Sequence, residues 1–208
     1  MPKESSFRYE NFNPFVFAEI PSKTRVLDIG CATGLLGRRL REEKGCVVVG
    51  IEADATMAEE ARKNTDEIIL ADLEKQIPPS LGAFDVIVCA DVLEHLKDPM
   101  AVLESLKPHL SDKGFFLISV PNIAFIQTRL DLLFGSFDYN PKGGIMDATH
   151  LRFFTMKTLV ALLQETDLGI DFVRGYNLVK KRYFFLEPLG RWLPTVFAIQ
   201  FLAKARAK

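Results

Sequence analysis

The sequence predicts a layered α/β fold in which helices cover both faces of a mostly parallel sheet. Three observations predict it. Short apolar runs alternate with amphipathic stretches at helical spacing. The runs are apolar throughout rather than at every second residue, as in strands buried on both faces. Glu52, Asp72 and Asp91 each close such a run, and in open α/β sheets the carboxyl ends of the strands hold the ligand crevice.

In chain order, Arg25–Gly30 reads as the first strand. Leu35–Lys44 follows as a helix that mixes Leu with Arg and Glu at helical spacing. Cys46–Glu52 is a β-branched run, and Ala55–Asn64 is helical again. Glu67–Asp72 and Phe84–Asp91 are the third and fourth strands. Pro99–Leu110 starts with a proline suited to a first helical turn. Gly114–Val120 is the fifth strand. The rhythm then breaks in a long segment rich in aromatics, glycines and prolines, of the kind that forms lids or binding loops. Met156–Glu165 is a helix with Thr155 as its N-cap, and Phe172–Tyr176 with Arg182–Leu186 forms a closing pair of strands.

Composition narrows the function. At 208 residues and 48% hydrophobic, the chain buries a full core, most simply as one domain over residues 1–208. The net charge of −1 excludes a polyanion binder by overall charge. From Arg174 onward eight Lys/Arg face the single acid Glu187, so that stretch carries +7 and the remainder −8. Three cysteines without CxxC spacing point to reduced thiols. "MPKESSFRYENF" has no apolar signal core, and no apolar run approaches the roughly 20 residues that span a bilayer. A cytoplasmic location is the expectation.

The first strand leads into "VLDIGCATG", Val26–Gly34. A dinucleotide loop carries three glycines as G-x-G-x-x-G. Here Leu35 takes the third position, which argues against a nicotinamide oxidoreductase. Gly30 and Gly34 still let backbone approach a ligand. Asp28 suits an ammonium group. Glu52, 18 residues beyond Gly34, has the spacing of a ribose acid. Asp72 and Leu73 suit an exocyclic amine and the face of a base. Ammonium, ribose and adenine together describe S-adenosylmethionine.

These motifs, with Gly50-Ile51-Glu52, Ala71-Asp72-Leu73, Phe84-Asp85-Val86-Ile87 and Asp91-Val92-Leu93-Glu94-His95-Leu96, resemble the class I S-adenosylmethionine-dependent methyltransferases of the small-molecule, ubiquinone-biosynthesis type. The resemblance covers roughly residues 20–170. It implies a Rossmann-like three-layer sandwich with a mostly parallel seven-stranded sheet and a final antiparallel strand. It implies a donor core at about 20–120 and an acceptor lid at about 121–155. Gly30, Ala32 and Gly34 would line the methionine end of the donor, and Glu52, with Ala53 beside it, would hold the ribose. Asp72 and Leu73 would frame the adenine, and Ala90 and Asp91 would floor the sulfonium. Family members carry Gly where Ala32 stands, so Ala32 is expected to take a φ open to an L-residue.

Methyl transfer from a sulfonium is an in-line displacement, so alignment and exclusion of water dominate. A base is needed where the acceptor must lose a proton. His95 follows the fourth strand and His150 lies in the lid; both are candidates, each weighed against a purely structural role. Asn122, Asp147, His150 and Arg152 are candidate acceptor contacts. His109 is expected to cap a helix end, and Cys31 and Cys89 to be inert core residues. Asp91-x-x-Glu94-His95 resembles the acid-acid-His pattern of some ubiquinone-type O-methyltransferases, where a divalent metal assists, and oxygen-rich ligands suit Mg²⁺. A loop carboxylate with a helix cap is the preferred reading, and no metal ligand is assigned.

The expected partner is a small-molecule acceptor, with methylation at O, N or C. No nucleic acid is expected, since no base-flipping motif is present. Residues 188–208 are apolar along Trp192–Ala203 with basic ends. They read as a helix packed on the domain or in a homodimer, or as a membrane-surface contact serving a lipid or quinone acceptor. The reading from another class is a non-catalytic interaction module of the same fold.

Overall fold

The computed structural model describes residues 12–75, 81–141, 143–176 and 187–208. They form two compact units. One takes in the chain up to Ala90 together with Ala101–Leu117, and the other comprises Asp91–Met100 and Ile118–Lys208. Seven strands lie in the order β3-β2-β1-β4-β5-β7-β6.

In the first unit, helix α1 (Pro14–Glu19) is capped by the Asn13 side chain, which accepts from the Phe15 and Val16 amides. Strand β1 (Arg25–Ile29) pairs in parallel with β2 (Val47–Glu52) and with β4 (Phe84–Ala90), and β2 pairs in parallel with β3 (Glu67–Leu70). Val26, Leu27, Val48, Ile51, Val86, Ile87 and Val88 are buried. The continuous apolar runs reflect a sheet covered on both faces. Helix α2 (Leu35–Lys44) occupies its predicted span and stops at Gly45, which takes the left-handed backbone that ends many helices. Helix α3 (Ala55–Ala61) starts where the Asp54 side chain caps the Thr56 and Met57 amides.

Several boundaries differ from the sequence reading. The helix expected over Pro99–Leu110 divides into α4 (Pro99–Leu106) and a 3₁₀ turn at Lys107–His109, with Pro108 inside the turn. A proline in a continuing helix would lose a backbone hydrogen bond. His109 does not cap its own helix: its Nδ1 lies 3.2 Å from the Gly82 carbonyl. Strand β5 (Leu110–Pro121) is longer at both ends than predicted. Its first half belongs to the first unit, where Ser111 and the Arg25 amide both donate to Asp85.

The second unit holds α5 (Ile126–Leu133), a helix inside the predicted lid that the broken sequence pattern concealed. Helix α6 (Met156–Glu165) has its predicted bounds. Thr155 and Thr158 form a reciprocal cap there, each side chain bonding the other's amide. Strand β6 (Leu168–Tyr176) contains the predicted Phe172–Tyr176, while Arg182–Leu186 lies outside the described residues. Short helices α7 (Glu187–Trp192) and α8 (Pro194–Phe197) follow.

The tail corrects the largest expectation. Residues 188–208 are not one apolar helix. Gln200–Ala207 form β7, which runs antiparallel to β6 from Leu168↔Ala207 to Tyr176↔Gln200. Phe201, Leu202, Ala203 and Ala205 are buried. The apolar run arises because β7 lies between β5 and β6 rather than at a sheet edge, and a strand buried on both faces carries no polar alternation. No described helix is long and apolar enough to cross a membrane.

Candidate active site

In the first unit, the loop after β1 turns through left-handed backbone at Gly30 (φ 63°), Ala32 (φ 49°) and Gly34 (φ 75°). A Cβ on Gly34 would lie 3.0 Å from Asn64 Cβ and 3.2 Å from Ala61, so space as well as φ selects glycine there. Ala32 departs from expectation. It sits in the left-handed region, where an L-residue is strained by about 1–2 kcal/mol. Hydrogen bonds hold it there: its amide donates to Glu52 Oε2 at 2.8 Å, the Cys31 amide donates to the Ile51 carbonyl, and Asn64 Nδ2 donates to the Thr33 carbonyl at 2.7 Å.

Glu52 ends β2 and is heavily engaged. Its Oε1 accepts from the Ala53 and Asp54 amides, both at 2.9 Å, and its Oε2 accepts from Ala32. A carboxylate has about four acceptor positions, so roughly one is left for a ligand hydroxyl. Asp28, buried in β1, is pushed up to about 7 by burial and then by the charge of Glu52. Asp72, after β3, accepts the Glu74 amide and pairs with Lys75 Nζ at 3.1 Å. Asp72 and Leu73 are both half-buried. Burial pushes the Cys31 and Cys89 thiols up, out of the range of nucleophilic thiolates.

Ala90 closes β4, and the second unit starts at Asp91. Asp91 has φ 56°, a left-handed conformation that Asp tolerates better than most residues. Its amide donates to the Ser119 carbonyl at 3.0 Å, and its Oδ1 accepts from Ser119 Oγ at 3.1 Å and from Gln200 Nε2. Burial pushes Asp91 up to about 6, and the bonds from Ser119 and Gln200 oppose that rise. Neither partner was visible in the sequence. Gln200 lies 109 residues away in the unexpected strand, and no local spacing joins the two.

Leu93–His95 form a 3₁₀ turn that brings Glu94 and His95 beside His150. One ligand atom from each lies within 4.8 Å of the others. The two imidazoles meet edge to face with centroids 4.8 Å apart. Glu94 is 1% exposed, and both its carboxylate oxygens are buried without a hydrogen-bond partner. Burial, then the charge of Asp91, drives its carboxyl well above the usual range. The Glu94 main-chain carbonyl accepts from the Leu151 and Arg152 amides at 2.8 and 2.9 Å.

Thr149 orients His95. Its hydroxyl donates to Asp147 Oδ1 at 2.8 Å, so its oxygen is left to accept from His95 Nδ1 at 3.1 Å; its carbonyl lies 3.2 Å from the same atom. His150 Nδ1 lies 3.0 Å from the Ile145 carbonyl. Both rings therefore carry their proton on Nδ1, and Nε2 is the basic nitrogen of each neutral ring. Thr149 had no signal in the sequence beyond its place next to His150.

The other acceptor candidates have structural partners. Asn122 is fully buried; its Nδ2 donates to the Ala198 carbonyl at 2.8 Å and its Oδ1 accepts from the Ala124 amide. Asp147 forms a turn with Thr149 and reaches His95 through the Thr149 hydroxyl, and its main-chain carbonyl accepts from the His150 amide at 3.1 Å. Arg152, exposed, bonds the Lys97 carbonyl through Nε and Nη2.

A family model described as a methyltransferase domain matches residues 8–171. The chain belongs to that family. Among curated relatives, the ubiquinone biosynthesis O-methyltransferase of Vibrio campbellii is 31% identical over 76% of this chain and 70% of that protein. The match to the enzyme of that name from Histophilus somni is 30% identical and covers 50% of this chain but only 48% of the relative. The crystal structure of an S-adenosylmethionine-dependent methyltransferase from Mesorhizobium loti shares the fold, with a TM-score of 0.65 at 19% identity, covering 93% of this chain and 96% of that one. The fold is the expected Rossmann-like one, and the methyltransferase uses S-adenosylmethionine as its donor.

Proposed function

We propose that this methyltransferase transfers a methyl group from S-adenosylmethionine to a hydroxyl oxygen of a small acceptor of aromatic or quinone type. The carrying observation is the His95–His150 pair, whose Nδ1 protons are fixed and whose Nε2 atoms are basic. A hydroxyl must shed its proton as it attacks the sulfonium carbon, and a basic imidazole is suited to take it. The names of the curated relatives support an oxygen acceptor.

In this reading the first unit holds the donor. Glu52 accepts a ribose hydroxyl, Asp28 answers the ammonium, Gly30, Ala32 and Gly34 bring backbone to the methionine end, and Asp72 with Leu73 frames the adenine. Ala90, at the end of β4, is assigned to the floor beneath the sulfonium. Donor and acceptor held in line gain most of the rate from alignment.

A phenolic acceptor screen with labelled S-adenosylmethionine tests the proposal. Wild type should methylate at least one phenol or catechol at oxygen, and His150→Ala should lose about 10²–10⁴-fold in turnover while binding the donor as before. Donor binding without transfer to any acceptor would favour the non-catalytic module. A membrane-surface version of the same chemistry is favoured by Trp192, 87% exposed at the end of α7, and the neighbouring exposed Leu189 and Leu193. Co-sedimentation with anionic liposomes, lost in Trp192→Ala, would establish it.

A further inference from the structure

Asp28 lies one residue before the end of β1 and is 3% exposed. Among the described residues its carboxyl has no hydrogen-bond or ion-pair partner. Its surroundings supply no counter-charge. In the sheet it stands level with Gly50 of β2 and Val88 of β4, both uncharged. The thiols of Cys31, in the loop, and Cys89, on β4, are pushed up by burial and then by the charge of Asp28, so both are neutral. Glu52, at the end of β2, is the acid whose charge bears on Asp28, and no cation among the described residues opposes it. The two carboxyls are served unequally. Glu52 accepts three amide bonds, from Ala32, Ala53 and Asp54, and Asp28 accepts none. Ionising Asp28 in the empty site would place a bare buried charge near that of Glu52.

We propose that Asp28 makes donor binding a proton exchange: its carboxyl keeps its proton while the site is empty and gives it up to solvent when the ammonium of the donor arrives. This rests on the donor assignment of Asp28 and concerns the regulation of that site. The ammonium brings the positive charge and the N–H donors that the fold withholds. Burial and Glu52 hold the carboxyl of the empty site at about 7, and an adjacent ammonium draws it down. The direction of the pH dependence follows. Above about 7 Asp28 is already ionised, no proton leaves on binding, and affinity is level. Below that value each donor must expel a proton, so affinity falls as pH falls, by at most about tenfold per pH unit. Mild acidification thus empties the donor site through one buried side chain of β1.

S-adenosylhomocysteine is the probe, because it keeps the ammonium, ribose and adenine and has no methyl to transfer. The full chain is titrated by calorimetry at pH 5.5, 6.5 and 8, each in two buffers of different ionisation enthalpy, which gives affinity and protons released together. Affinity at pH 5.5 should be about 10–30-fold below that at pH 8, with close to one proton leaving per ligand at the lower pH and close to none at the higher. 5′-Methylthioadenosine, which lacks the ammonium, should bind equally at every pH and release no proton. Asp28→Asn keeps the side-chain size, and circular dichroism verifies its fold. It should bind S-adenosylhomocysteine about tenfold more weakly than wild type at pH 8 and without pH dependence. Where Asp28→Asn does not fold, the proton count of wild type decides. Equal wild-type affinity at pH 5.5 and 8 with no proton released overturns the inference and leaves the donor site standing. A pH dependence that survives in folded Asp28→Asn, or that 5′-methylthioadenosine shares, overturns it as well. Failure of S-adenosylhomocysteine to bind at any pH would instead overturn the donor assignment, and the inference with it.

Discussion

The Ala32 amide donates to Glu52 Oε2 at 2.8 Å, tying the loop after β1 to the acid that ends β2. One carboxylate thus stabilises a strained loop and, in the proposed donor site, would also accept from a ribose. With the Ala53 and Asp54 amides it already accepts three bonds, so a ribose presenting two hydroxyls must share or displace the Ala32 tie. Under the proposed donor site, donor binding and loop conformation would be coupled through this side chain.

Glu52→Gln keeps the size and removes the charge. Charge-assisted hydrogen bonds contribute about 1.5–3 kcal/mol each, so S-adenosylmethionine affinity should fall about 10–100-fold in calorimetry. An unchanged affinity would remove Glu52 from the donor site.

Ala32→Gly should stabilise the protein. Relief of left-handed strain at φ 49° outweighs the extra chain entropy of glycine, for a net gain of about 0.5–1 kcal/mol. A rise in the urea midpoint at unchanged slope would register it. A fall would mean that the alanine methyl makes a packing contact worth more than the strain.

Asp28 makes stability depend on pH with a defined sign. Its folded value of about 7 exceeds the ordinary 3.8, so between those values the folded state binds more protons than the unfolded one. Its contribution to stability therefore falls as pH rises through that window, with a slope of at most about 1.4 kcal/mol per pH unit, and levels off above pH 7. Urea unfolding of wild type and Asp28→Asn at pH 5, 6 and 7 isolates this group. The wild type should lose ground to the variant at each step. Parallel curves would mean that Asp28 ionises in the fold without penalty.

Phe201 and Trp192 separate a buried strand from an exposed helix in the same tail. Phe201 is fully buried in β7, and Phe201→Ala should destabilise by about 3–5 kcal/mol. Trp192, 87% exposed, should change thermal stability by less than about 0.5 kcal/mol on truncation to Ala. Equal effects would contradict the strand assignment.

The sequence exposed the first unit well because its signals are local. Strand runs, the Asp54 cap, the Gly45 stop and the interval from Gly34 to Glu52 are each read within a window of about twenty residues. The second unit depends on distant pairs. Gln200 meets Asp91 across 109 residues, and Thr149 meets His95 across 54, so neither partnership has a periodicity to betray it. The β7 run was misread for a related reason: a strand buried on both faces and a buried helix segment are both simply apolar. The left-handed backbone at Ala32 was hidden because alanine gives no sign of positive φ, whereas glycine at Gly30 and Gly34 does.

Strand β7 also sets the order in which the molecule can be completed during synthesis. The sheet order places β7 between β5 and β6, although β7 is translated after both. While the ribosome is still making residues 177–199, β6 has no neighbour to pair with, and the apolar slot awaiting Phe201 is open to water or to foreign strands. A nascent chain stalled just short of Gln200 would expose an unpaired β6, a natural target for chaperones.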